Sequence, residues 1–70
     1  MKQSFEVILK DFAASVVIER DIETSNVCVN WYNIIDGKKI LRRRNCEEKM
    51  TEQEFIRYKN FLRNFNEIVE

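Results

Sequence analysis

The chain has no histidine, no proline and a single glycine, and its 70 residues contain only two cysteines. Each shortage removes a class of chemistry. Without histidine there is no His-based acid–base relay and no His-ligated metal site. One glycine cannot build a phosphate-cradling Gly-rich loop. Cys28 and Cys46 stand 18 residues apart with no C-x-x-C pair and no third ligand nearby, so a zinc site is not expected. No apolar run approaches the ~18 residues of a membrane-crossing helix. The opening Met1-Lys2-Gln3-Ser4-Phe5-Glu6 has no apolar stretch of the signal-peptide kind. A cytoplasmic location follows as the expectation, with both cysteines as free thiols packed like small hydrophobes. Paired carboxylates do occur, Glu47 with Glu48 and Glu52 with Glu54. They come without a nucleophile–base pair, so no enzyme, cofactor or metal is expected.

What the chain does have is 44% hydrophobic and 34% charged residues. That balance describes a folded domain, neither disordered nor membrane-spanning. The length allows one domain, residues 1–70, with a small core. Such a chain benefits from burying a face against another copy, so a homodimer is expected.

Net charge is zero, from 12 basic and 12 acidic side chains, but the charge is unevenly placed. Residues 1–37 carry three basic and six acidic groups, and residues 38–50 carry six basic and two acidic. Most of the positive excess lies in Lys38, Lys39, Arg42, Arg43 and Arg44. A local basic strip of this kind can meet a phosphate backbone even on a neutral protein. It also suits an edge strand guarded against aggregation by its cations.

Alternation and turn chemistry predict four strands, at about residues 4–11, 14–22, 27–35 and 38–46. Phe5, Val7 and Leu9 share one face of the first, and Val16, Ile18 and Ile22 one face of the second. Val27–Ile35 is rich in β-branched and aromatic residues. Asp36-Gly37 is a hairpin signal that pairs Ile35 with Lys38, and onward Tyr32 with Leu41, Trp31 with Arg42 and Val29 with Arg44. Thr51-Glu52-Gln53-Glu54 is a capping box opening a helix over about 51–69. Its apolar stripe of Phe55, Tyr58, Phe61, Leu62, Phe65, Ile68 and Val69 is expected to be core. The fold class is therefore α+β: a four-stranded antiparallel sheet followed by one C-terminal amphipathic helix, ββββα. One sheet face lies under the helix, and the other is expected to be uncovered.

Neither face of the last two strands is cleanly apolar. Each displays an aromatic residue beside at least one arginine. Arginine and lysine beside an exposed ring suit single-stranded nucleic acid, with bases stacking on the ring and cations tracking phosphates. The candidates are Trp31 for stacking, with Tyr32 as a second ring, and Lys38, Lys39, Arg42, Arg43 and Arg44 for phosphate. A Trp31 packed in the core is the plainer alternative.

Four short stretches also carry a family likeness: Phe5-Glu6-Val7-Ile8, Val29-Asn30-Trp31, Ile40-Leu41-Arg42, and Glu48-Lys49-Met50 leading into Thr51–Phe55. The first is similar to the opening strand of bacterial members of the transcriptional-coactivator family of single-stranded-DNA-binding domains (positive cofactor four). The second resembles that family's V-x-W strand, the third its apolar-Arg strand motif, and the fourth its approach to the C-terminal helix. The Asp before the Ile-Arg pair and the Lys-Gly-Ile before the helix are absent. The resemblance implies a ββββα dimer that binds single-stranded DNA in transcription or replication, with Trp31, Lys39, Arg42 and Arg44 on the DNA-facing ribbon.

A different class fits the same residues. The Asn-, Ile-, Lys- and Glu-heavy composition suits a phage or mobile-element protein. Such a protein would inhibit a host defence or nucleic-acid-processing complex, anti-CRISPR fashion, by docking on an acidic protein surface. No membrane partner is expected.

Overall fold

Alternating apolar residues drive the first half of the chain into strands, because only a pleated segment puts Phe5 and Val7 on the same side. The computed structural model describes residues 1–70. The strands are β1 (Lys2–Leu9), β2 (Ala14–Asp21), β3 (Asn26–Ile35) and β4 (Lys38–Lys49), followed by helix α1 (Glu52–Arg63) and a short strand β5 (Glu67–Val69). All pair antiparallel in one sheet of order β4-β3-β2-β1-β5. The fold is α+β as expected, with one strand more than the sequence suggests.

The β3–β4 turn behaves as its sequence demands. Asp36 and Gly37 both take positive φ, 53° and 77°, the conformation of a type I′ hairpin. Ile35 pairs with Lys38 and Tyr32 with Leu41. The ladder then slips at a bulge between Trp31 and Tyr32, where Arg42 is the extra residue. Trp31 consequently faces Arg43, and Asn30 faces Arg44. The expected pairs of Trp31 with Arg42 and Val29 with Arg44 are therefore displaced by one residue. No local signal in the strand marks the bulge.

The one-residue shift at Arg42 carries on to set Cys28 beside Cys46, with Cα atoms 4.0 Å apart, just where a second irregularity falls between Val27 and Val29. The two form a disulfide across β3 and β4, and no free cysteine remains. The expectation of free thiols is thereby corrected. A sequence separation of 18 carries no information about ladder register, and an unbroken register from the Asp36-Gly37 turn would have put Asn45 opposite Cys28.

The core lies between the sheet and α1. Phe5, Val7, Val16, Ile18, Val27 and Phe55 form its buried centre. Leu9, Val29, Trp31, Met50, Tyr58, Leu62 and Ile68 pack around it. Phe5 meets Phe55 and Tyr58 with ring centroids 5.3 and 6.4 Å apart, within the range of favourable aromatic pairs.

The capping box forms as expected. Thr51 Oγ1 accepts from the Glu54 amide at 3.1 Å, and the Thr51 amide donates to Glu54 Oε1 at 2.9 Å. The helix, however, stops at Arg63 rather than near residue 69. Asn64 and Asn66 are residue types whose side chains compete with helical backbone bonds. The Asn66 amide and its Nδ2 both donate to the Leu62 carbonyl, at 2.9 and 3.1 Å, and close the turn. Glu67–Val69 then pairs with the free edge of β1, Ile68 opposite Val7. Phe61, Phe65 and Val69, expected in the core, are exposed, as is Ile22, which lies just beyond the end of β2.

One buried cation anchors the opposite end. Arg20 donates to the Met50 carbonyl at 2.8 Å, to Gln3 Oε1 at 2.8 Å and to Ser25 Oγ at 3.2 Å. Gln3 in turn donates to Glu52 in the first turn of α1, at 3.2 Å. Arg20 thus ties β1, the β2–β3 turn and the approach to the helix without any carboxylate partner. Alternation with Val16 and Ile18 puts Arg20 on the core face, and its partners come from segments that only the fold brings together.

Candidate nucleic-acid interface

Strand β4 is the outer strand of the sheet, and all 12 of its residues are exposed. Its pleat sorts the basic strip onto two faces. Lys38 and Arg43 lie on the helix side, opposite Ile35 and Trp31. Lys39 and Arg44 lie on the open side, opposite Ile34 and Asn30. Arg42 sits at the bulge between the two sets.

The open side is a structural network rather than a flat platform. Lys39 on β4 forms an ion pair with Glu6 on β1. In a flat sheet these strands would lie about 14 Å apart, three strand spacings. The contact therefore requires the sheet to curl toward its open face. Curling explains why Ser15 and Asn30, both on that face, are fully buried. The hydrogen bond from Lys39 holds the Glu6 carboxyl below the ordinary range, against the upward push of burial. Asn30 Nδ2 donates to Glu19 Oε1 at 2.8 Å and to the Val17 carbonyl at 3.2 Å. Arg44 Nη1 donates to Asn30 Oδ1 at 2.7 Å and stands 3.8 Å from Glu19. Lys2 completes the group at 3.4 Å from Glu19. Two cations of the strip are thus neutralised within the molecule.

The helix side differs. Trp31 packs against the margin of the core and remains half-exposed, its Nε1 donating to Asn33 Oδ1 at 3.0 Å. The ring is packed against the core on one side and partly accessible on the other. Lys38, Arg42 and Arg43 form no ion pair. The structure therefore brings Trp31 and Arg43 together, with Lys38 about 13 Å further along the same face. It separates them from Lys39 and Arg44. Tyr32 is half-buried on the open side, opposite Leu41.

Comparison with protein-family models, curated proteins and solved structures gives no match to this chain. No helix is long and apolar enough to cross a membrane.

Proposed function

We propose that this chain binds single-stranded nucleic acid, without sequence preference, on the helix-side face of the β3–β4 ribbon. One observation carries the proposal: a partly buried tryptophan on β3 directly opposite an unpaired arginine on the fully exposed strand β4. A base stacks on Trp31, and Arg43, Arg42 and Lys38 track the phosphates. Stacking contributes about 1–3 kcal/mol per base whatever the base, so no base-edge reader is needed. Lys39 and Arg44 act from behind, by holding the curl of the sheet. The role is in transcription or replication, in the cytoplasm. The working unit is a homodimer, because a chain with only 10 buried residues out of 70 gains by covering more apolar surface.

The test uses the single tryptophan. Short oligo-dT added at low salt is expected to quench Trp31 emission, and rising salt to reverse it. An oligonucleotide that neither quenches Trp31 nor shifts the elution volume refutes the proposal.

A second class of partner has one observation in its favour. With Lys39 and Arg44 neutralised, only three cations of the strip remain free for phosphate, while tryptophan and arginine side by side are typical anchors of protein interfaces. An inhibitor docking on an acidic protein surface would show no affinity for bare oligonucleotide.

A further inference from the structure

Three phenylalanine rings lie outside the core at one corner of the molecule. Phe12 in the β1–β2 turn, Phe61 on α1 and Phe65 just beyond it are 72, 59 and 73% exposed. Phe61 and Phe65 meet edge to face, centroids 5.4 Å apart. Phe65 and Phe12 line one hollow, together with Ile8 and Leu9. At Leu9 and Asn66 that hollow adjoins an apolar groove of about 190 Å³ between α1 and the sheet, walled by Val7, Val16, Val29 and Leu62.

We propose that this corner is the surface on which a second copy of the chain docks. Two copies related by a two-fold axis each seat Phe65 in the other's groove and cover each other's Phe12 and Phe61. The inference rests on the homodimer reading above and does not depend on nucleic acid.

The occupant is a second copy for three reasons. The ring and the groove are neighbours on one surface, so a single two-fold contact fills both grooves at once. A groove of about 190 Å³ exceeds the ~150 Å³ of an apolar cavity that admits a benzene ring. Second, the surrounding charges carry both signs: Lys10 beside Glu67 at 3.0 Å, and Lys59 and Arg63 around Glu70. Paired within the chain, these charges leave a rim with no net field to repel a second copy. An anionic membrane or a uniformly acidic partner finds no matching field. Third, the three rings together expose about 400 Å². That is half of the ~800 Å² each partner contributes to a standard interface, before groove and rim are added.

Sedimentation equilibrium on the full chain tests this. The wild type is expected at twice the monomer mass. The double variant Phe12→Ser, Phe65→Ser is expected at half that mass, with an unchanged far-ultraviolet circular dichroism spectrum. Phe61→Ser, on the outer side of α1, is an independent second variant and is expected to shift the equilibrium toward monomer. Ile56→Ser, exposed elsewhere on the helix, is expected to leave the mass unchanged. A wild type that is monomeric throughout overturns the homodimer reading and this surface with it. A dimer that persists in folded Phe12/Phe65 and Phe61 variants overturns the surface and leaves the homodimer standing.

Discussion

Lys39 on β4 reaches over two intervening strands to the carboxylate of Glu6 on β1. The pair closes the curl of the sheet over its open face and makes that curl sensitive to pH. Glu6 is held below its ordinary value chiefly by the Lys39 hydrogen bond. A carboxyl depressed on folding stabilises the native state above its unfolded pKa, and that contribution fades as pH falls through the folded value. Glu6→Gln is expected to cost about 1 kcal/mol at neutral pH. Its melting curve should converge with the wild type's as pH drops below about 4.3. Melting temperature measured against pH checks this, and curves that stay parallel down to low pH would remove Glu6 from the acid limb.

Arg20 should be more costly to lose than any exposed cation. Arg20→Met leaves the Met50 carbonyl, Gln3 and Ser25 without their donor at a buried site. Unmet buried polar groups cost about 1–3 kcal/mol each, so a loss of about 3 kcal/mol is expected. Urea unfolding measures it. A loss under about 1 kcal/mol would mean that water replaces the guanidinium at no cost.

The two phenylalanines of the helix stripe should behave oppositely. Phe55 is buried against Phe5, and Phe55→Ala is expected to cost about 3–5 kcal/mol. Phe65 stands in solvent beyond the helix end, and Phe65→Ala should cost less than about 1 kcal/mol in the monomer. Equal losses in thermal unfolding at low protein concentration would restore the single long stripe.

The strip should divide by face in the same manner. Each phosphate contact on a single strand contributes about 0.7 to the slope of log affinity against log salt. Arg42→Ala with Arg43→Ala is expected to flatten that slope by about 1–1.5. Arg44→Ala should leave the slope unchanged and lower stability, because it removes the donor to the buried Asn30 Oδ1 and one of the two cations beside Glu19. A flattened slope from Arg44→Ala alone would move the binding face to the open side.

Local chemistry alone determined the α+β class, the first four strands, the Asp36-Gly37 turn and the start of the helix at Thr51. Each depends on residues a few positions apart: alternation, a two-residue loop, a capping box. The end of the helix did not follow from its periodicity. Ile68 is equally compatible with a helical stripe and with a strand, and only the free edge of β1 selects the strand. The bulge at Arg42 lay beyond local reach for the same reason. It exchanges Arg42 for Arg43 opposite Trp31, a one-residue slip that reverses the face of the side chains from Arg43 to the second irregularity. The basic strip was legible as composition. Which of its cations are free was decided by Glu6 and Glu19, residues 33 and 25 positions away in the chain. Charge pairing follows distance in space, and a curled sheet brings together strands that the sequence keeps apart.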